Sequence, residues 1–351
     1  QIAIKQHGNE LNLAKKDDLW RVRERGDYLA DFGDISKLLL KLRDLKAVQT
    51  EKIGASQLGR LELAPPGTNS DTATLIELRD NGGKVIRSLL LGKKHMQKSS
   101  RPSQFGEMDG EGGFADGRHV MMDTASGNVV LISDALTEAE AKPEQWLNKS
   151  FIKIEKQRSI SVTHAEATNS WSLTRESETN EWKLAEAKPA EKLDSGKSSG
   201  VTSPFSSASL ADVAIGLTPE QTGLSKPTVV KVGTSDGLEY IINVGAKTND
   251  NYFVAVSLDG KLVKERTPGK DEKAEDKARL DKEFADSLKK LEEKLETEKA
   301  FGKWTYLISS WTVDSLLKKR AELLEDKKDE TKPEDAAAEK QAVSPAPLSN
   351  P

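Results

Sequence analysis

Cysteine is absent from this sequence of 351 residues, which excludes disulfides, thiolate zinc sites, iron–sulfur clusters and a cysteine nucleophile. Long apolar runs are absent as well. No stretch of about 18 apolar residues occurs, so these residues contain no bilayer-spanning helix. No basic segment followed by an apolar one marks a signal peptide, although the chain starts at Gln1 rather than Met.

A marked excess of charge of one sign is also lacking. Lys and Arg number 53 and Asp and Glu number 57, for a net charge of −4. This balance provides no electrostatic footprint for a nucleic-acid backbone or an anionic membrane, so nucleic acid is not an expected partner. Charged residues form 31% of the chain, against roughly a quarter in average domains, which predicts solvated helix or disordered tail. The length corresponds to about two domains.

Short strand-like segments recur along the chain in the same order. Trp20 and Trp182 occupy equivalent segments, and glycine turns follow equivalent strands. The matched pairs are 2–4 and 160–162, 11–13 and 171–173, 20–22 and 182–184, 75–78 and 229–232, 89–92 and 241–245, 119–122 and 253–256, and 130–133 and 306–309. This pattern predicts an α+β fold of two tandem repeats, residues 1–155 and 156–324, each a mainly antiparallel sheet with a covering helix.

Helical spacing accompanies each repeat. In the first, Ile35, Leu38, Leu42 and Leu45 share one face and are expected to cover the sheet. The more polar stretch 203–213 predicts a weaker helix at the same place in the second repeat. Helical segments over 138–151 and 312–324 are expected to close the two repeats.

A charged insertion, residues 268–302, interrupts the last hairpin of the second repeat. Its apolar residues recur every three or four positions, which predicts a helical arm: Leu280, Phe284, Leu288, Leu291 and Leu295. The narrow stripe is typical of a solvated helix, and a short coiled-coil contact is the alternative. Whether the arm docks or projects stays open. Residues 325–351 are rich in Lys, Asp, Glu, Ala and Pro and are predicted to be a disordered tail.

Four features of the sequence belong together: the strands with tryptophan, the helix that begins with Asp, the strand pairs that end in glycine, and the closing segment 304–307 before a basic stretch. In this combination the chain resembles an uncharacterised bacterial family, domain of unknown function 4340. The resemblance covers roughly residues 2–324. It implies extracytoplasmic α+β repeats behind an N-terminal membrane anchor, and association with ABC transporters of the gliding-motility auxiliary type. The family supplies no active-site residues, and the sequence differs from its pattern in showing no anchor.

Residue patterns typical of catalytic, metal-binding or phosphate-binding sites are scarce in this sequence. The four histidines, His7, His95, His119 and His164, lack the spacing of a metal pair. The glycine-rich acidic stretch 107–117 is the best candidate for a cation loop, but it has no EF-hand register and is expected to be a hairpin connection. No phosphate-binding or nucleophile motif occurs. We therefore expect no catalytic, cofactor-binding or metal-binding residues and no cofactor.

The remaining candidates have structural explanations. Ser residues between 195 and 209 are expected in loops, and acid pairs such as Glu292 with Glu293 on exposed helices. Five tryptophans are predicted to be core rather than sugar platforms: Trp20, Trp171, Trp182, Trp304 and Trp311.

The leading hypothesis is a non-enzymatic accessory or scaffold protein, tethered outside the cytoplasmic membrane and working with ABC transporter subunits. That hypothesis rests on the family resemblance. The alternative is a binding module for envelope glycan or peptide that uses a groove between the repeats. A hydrolase is disfavoured because no convergent set of polar residues is evident.

Overall fold

The computed structural model confirms the α+β class, with two large antiparallel sheets and few helices. The structure describes residues 1–67, 72–98, 113–122, 127–189, 191–203, 205–268 and 272–326. Most of the glycine-rich stretch 107–117 and nearly all of the predicted tail 325–351 lie outside these ranges.

Seventeen strands fall in the described ranges. The first sheet contains β1 (Ile2–Gln6), β2 (Asn9–Lys16), β3 (Leu19–Val22), β4 (Tyr28–Leu29), β5 (Ala47–Lys52), β6 (Thr74–Arg79), β7 (Val85–Lys98), β8 (Gly113–Met121) and β9 (Asn128–Ile132). The second contains β10 (Gln157–Thr163), β11 (Trp171–Thr174), β12 (Lys183–Leu184), β13 (Leu210–Ala214), β14 (Thr228–Thr234), β15 (Leu238–Thr248), β16 (Asn251–Gly260) and β17 (Thr305–Ser309).

Helices are few, and only two of the described α-helices exceed five residues. The α-helices are α1 (Phe32–Asp44), α2 (Ser195–Ser199), α3 (Pro219–Thr222), α4 (Ala274–Lys299) and α5 (Ser310–Val313). Short 3-10 turns occur at Arg23–Arg25, Ala55–Leu61, Pro143–Trp146, Ala167–Asn169, Ala300–Lys303 and Arg320–Leu323. None of the described helices is both long and apolar enough to cross a membrane.

The two sheets have the same strand order once β4 is set aside. The first runs β3-β2-β1-β6-β7-β8-β9-β5 and the second runs β12-β11-β10-β14-β15-β16-β17-β13. Register agrees as well: Ile76–Leu89 corresponds to Val230–Ile242, Leu78–Arg87 to Val232–Tyr240, and Val120–Val130 to Val254–Tyr306. Each of the edge strands β5 and β13 also shifts register at the same point of its pairing. The paired positions at the centre of one sheet therefore have counterparts in the other.

Corresponding glycines lie under a helical turn in both halves. A Cβ on Gly92 would lie 2.3 Å from the carbonyl oxygen of Leu61, and one on Gly245 would lie 2.2 Å from that of Thr222. Both carbonyls belong to short helical segments that precede β6 and β14 in the chain. Only glycine allows the strand to approach the turn so closely.

A single apolar core joins the two sheets and α1. Helix α1 starts at Asp31, whose carboxylate accepts a hydrogen bond from the Asp34 backbone N–H at 3.1 Å, and it buries Ile35 and Leu38 against the first sheet. Leu42 and Leu45 are only partly buried. The helix therefore covers only part of the first sheet.

The halves meet through aromatic rings and an ion pair. The ring of Tyr28 packs edge-on against Trp304 with centroids 5.3 Å apart. Nearby, the Arg25 guanidinium donates to both carboxylate oxygens of Asp212, at 2.6 and 2.9 Å. This bidentate geometry fixes orientation as well as distance, so the two sheets are held in a defined relation.

Three predicted helices are wrong. Within 203–213, Leu210–Ala214 forms strand β13, because the edge of β17 needs a hydrogen-bonding partner. The segment 312–324 is not one helix: it contains the end of α5 and the turn Arg320–Leu323. Between them the Lys318 carbonyl accepts the Trp171 indole N–H at 2.7 Å, so tertiary bonding replaces helical bonding there. The segment 138–151 contains only the short turn Pro143–Trp146.

The insertion forms helix α4 between β16 and β17. Its last two turns lie on the second sheet, where Leu291 and Leu295 pack against the core. Glu298 is 8% exposed and accepts a hydrogen bond from the Tyr240 hydroxyl at 2.7 Å. The Lys294 ammonium donates to the Lys153 carbonyl at 2.7 Å, which ties the helix to the segment joining the two sheets.

Candidate interaction groove

An apolar groove of about 560 Å³ lies on the α1 side of the first sheet. The end of α1 and the start of β5 form one wall, through Leu42, Leu45 and Ala47. The other lining residues, on strands or next to them, are Ile76, Leu78, Arg87, Ser88, Leu89, Val120, Met122, Asn128, Val130 and Ile132. We call this the first-sheet groove.

Strand pairing places the groove on the face that α4 covers in the second sheet. By register, Arg87 corresponds to Tyr240, Leu89 to Ile242 and Val130 to Tyr306. Met122, two residues beyond Val120, corresponds to Val256. The comparison between these positions is therefore residue by residue.

Exposure differs sharply between the two faces. Tyr240 and Tyr306 are 0% exposed, and Val256 is 4% exposed. In the first sheet, Arg87 is exposed, Val130 is partly exposed and Met122 is 66% exposed. Corresponding positions of one sheet face are therefore closed in the second half and open in the first.

The closed face is filled from several sides. Leu295 of α4 lies over Gly260, with its Cδ2 atom 3.0 Å from where a Cβ would stand. Phe151 packs edge-on against Tyr306 with ring centroids 4.8 Å apart. Burial raises the pKa of the Tyr240 hydroxyl, and its hydrogen bond to Glu298 raises the pKa further. The helix, the joining segment and the sheet thus form one packed unit.

The first half has a different insertion. Its β7–β8 hairpin is long, reaching Lys98 on one side and Gly113 on the other, whereas the connection corresponding to α4 spans only residues 122–127. A connection of six residues is too short for a helix like α4, which has 26. The different coverage of the two faces therefore follows from the lengths of their connections.

Arg87 is the one charged residue lining the groove as the structure describes it. Its guanidinium donates to the Ile86 carbonyl at 3.0 Å, and it makes no ion pair within the described ranges. A cation at the rim of an apolar groove favours an occupant with an apolar face and a carboxylate beside it.

The histidines do not converge. His95 Nδ1 lies 2.7 Å from an Asp116 carboxylate oxygen, an exposed pair across the β7–β8 hairpin that sequence spacing does not reveal. His119 and His164 each contact a backbone carbonyl oxygen, of Lys93 at 3.2 Å and Lys318 at 3.3 Å, and His7 lies in the β1–β2 turn at a φ of 47°. Over the described residues, no group of three or more potential ligands is placed to hold a metal ion.

The most buried cation has a structural role. The Arg118 guanidinium donates to the carbonyl of Gly92 at 2.8 Å and to those of Ala135 and Leu136 at 3.4 and 3.3 Å. Burial lowers the pKa of this side chain. Because its Nε and Nη1 groups donate to backbone carbonyls of three residues, Arg118 ties β7 to the chain after β9.

Other candidate residues are scattered. Glu292 and Glu293 lie exposed on α4. Ser198 is buried in α2, where its hydroxyl donates to the Ser195 carbonyl at 3.3 Å. The core prediction for tryptophan is wrong at Trp311, which is 89% exposed and does not line the groove. Trp171 is buried, whereas Trp20, Trp182 and Trp304 pack partly buried against the core.

Comparisons of this chain with known protein families, with curated proteins and with solved structures found no match. The groove itself escaped the sequence analysis, because its apolar residues have the same alternation as covered core positions. The signal that could have located it is the unequal insertion: a helical stripe follows β16, and no such stripe follows β8.

Proposed function

We propose that this protein is a non-enzymatic accessory or scaffold protein of the cell envelope, which binds a protein partner in the first-sheet groove and works with an ABC transporter complex. The observation that carries the binding role is the open apolar face, whose counterpart in the second sheet is packed under α4. Exposed apolar faces of this size in a folded protein are typical of interaction sites.

The transporter partner and the extracytoplasmic location come from the resemblance to domain of unknown function 4340, which also implies an N-terminal membrane anchor. The scattered histidines and the use of Arg118 by backbone carbonyls favour binding over catalysis. A glycan-binding role is less favoured, since the exposed Trp311 lies outside the groove lining.

The proposal includes the tandem duplication. The shared strand order, the shared register and the paired glycines Gly92 and Gly245 support an origin of both halves from one unit. On this view α4 is an insertion that closed one copy of the face, and the other copy was left for a partner.

Site-specific photo-crosslinking in the natural host tests the proposed function. A crosslinking analogue, Met122→p-benzoylphenylalanine, places the reactive group at the groove, and Trp311→p-benzoylphenylalanine is the control on an exposed site elsewhere. We expect position 122 alone to capture a transporter subunit. Capture of lipid acyl chains at position 122, or of the same set of proteins at both positions, would contradict the proposal.

A further inference from the structure

We infer that a second, polar cavity of the first sheet binds a small hydroxylated carboxylate through the side chains of Lys94 and Arg118. The cavity has a volume of about 450 Å³, lies where β1 ends and β6 begins, and shares no lining residue with the first-sheet groove. We call it the Arg118 cavity. The inference goes beyond the proposed function, because it concerns a small ligand and a separate site.

Arg118 is a buried cation that has no carboxylate partner among the described residues. It is 7% exposed, and its Nε and Nη1 groups donate only to backbone carbonyls. The remaining nitrogen, Nη2, makes no hydrogen bond within the described ranges. Glu62 and Glu140 act on the guanidinium through their charge alone. Because a buried charge is normally paired with an opposite charge, this side chain is suited to an anion that enters the cavity.

The second half holds a carboxylate at the corresponding place. The strands β7 and β15 shift register at the same point of their pairing, next to the equivalent glycines. Just beyond the shift, Lys94 lies opposite Arg118 in the first sheet, and Lys247 lies opposite Tyr252 in the second. The Tyr252 hydroxyl donates to one carboxylate oxygen of Asp314 at 2.8 Å, and the Lys247 ammonium lies 3.7 Å from the other. Two side chains at these positions therefore bind one carboxylate.

In the first half the corresponding carboxylate is used elsewhere. Counted from equivalent positions in β9 and β17, Glu138 corresponds to Asp314. Glu138 is paired instead with Lys41 of α1, whose ammonium lies 2.7 Å from the Oε1 atom. Lys94 and Arg118 therefore keep the positions of a carboxylate site, and the described chain supplies no carboxylate to fill it.

The rest of the lining favours a polar ligand. Cations outnumber carboxylates in it, and Glu140 is already paired with Lys142 at 2.6 Å. The uncharged hydrogen-bonding side chains of the lining include Gln6, Thr72, Thr74 and Thr137. An acyl chain offers such groups no hydrogen bond, whereas the hydroxyl groups of a ligand can donate to them and accept from them. The Arg118 cavity thus differs from the first-sheet groove, whose lining is mainly apolar.

Isothermal titration calorimetry of the full chain with sodium gluconate, at constant ionic strength, tests the inference. Sorbitol, which has a hydroxymethyl group in place of the carboxylate, is the ligand control. We expect saturable binding of gluconate and none of sorbitol. Because Arg118 also supports the fold, the mutational test uses the exposed Lys94, and Lys94→Gln should weaken gluconate binding about fivefold.

The matched control variant is Lys247→Gln, which removes the same charge at the corresponding position of the second sheet. It should leave gluconate binding unchanged, because Asp314 already occupies that site. Glu62→Gln removes a competing carboxylate from the lining of the Arg118 cavity, so it should strengthen gluconate binding about threefold.

Four results would overturn the inference. They are no saturable binding of gluconate, equal binding of sorbitol, unchanged binding of gluconate to Lys94→Gln, and equal weakening in Lys94→Gln and Lys247→Gln. Tighter binding of heptanoate than of gluconate would show that the cavity takes an acyl chain, which contradicts a polar ligand. None of these results bears on crosslinking at position 122, so the inference and the proposed function stand or fall separately.

Discussion

The hydroxyl of Tyr240 anchors α4, and its removal should measurably loosen the second half. Tyr240 is 0% exposed, and it donates to Glu298, which is itself 8% exposed, at 2.7 Å. The other contacts of the Glu298 carboxylate are longer: the Lys153 backbone N–H at 3.3 Å and the Lys294 ammonium at 3.9 Å. Tyr240→Phe keeps the ring in the core but leaves a buried carboxylate oxygen without its best donor.

The expected cost is about 1.5–3 kcal/mol in the free energy of unfolding, the range for a hydrogen bond to a charged group. Tyr252→Phe is the matched control, since it deletes the same hydroxyl-to-carboxylate bond, 2.8 Å to Asp314, at an exposed site. Water replaces the lost donor there, so we expect a loss of about 0.5 kcal/mol.

Urea unfolding measured by circular dichroism gives the free energy of each variant, and hydrogen exchange along α4 shows whether the loss is local. We expect exchange of the amides near Leu291 and Leu295 to accelerate in Tyr240→Phe and to stay unchanged in Tyr252→Phe. Equal small losses in both variants, with unchanged exchange, would refute the claim that the buried hydroxyl holds the helix on the sheet.

Two further predictions concern the backbone and the tyrosines. Gly92→Ala and Gly245→Ala should each destabilise the fold by about 1–3 kcal/mol in urea unfolding, since the added Cβ meets a carbonyl oxygen. The control Gly59→Ala, whose Cβ would have no neighbour within 4 Å, should be nearly neutral. An unchanged stability in Gly92→Ala would contradict the prediction, because the helical segment would then have to move without cost. Burial is the main cause that raises the pKa of Tyr28 and Tyr252 to about 12, and it raises the pKa of the other two tyrosines too. Because unfolded tyrosines ionise near pH 10, the contribution of these raised pKa values to stability is complete below pH 10 and is lost as the pH rises toward 12. The phenolate absorbance of the native protein should therefore stay flat through about pH 10, and a native titration near pH 10 would contradict this.

Alternation along the strands made the α+β class predictable. Ile160 and Val162 alternate with Ser159, Ser161 and Thr163, and such a pattern has one interpretation in a sheet with one buried face. The helices were less predictable, because local pattern competes with tertiary bonding. At Lys318 the carbonyl bonds to Trp171, 147 residues away, and no local rule can anticipate that this bond replaces a helical one.

The groove could not be predicted because alternation reports which way a side chain faces and not what lies above it. Leu89 and Ile242 have the same environment in the sequence, yet one lines an open groove and the other is fully buried. The difference follows from tertiary contacts, since α4 docks on the second sheet with a hydrogen bond between Tyr240 and Glu298, which are 58 residues apart. Two sheets with the same strand order, one of which is packed under an inserted helix, therefore provide their own comparison: corresponding positions are covered in the second sheet and open in the first.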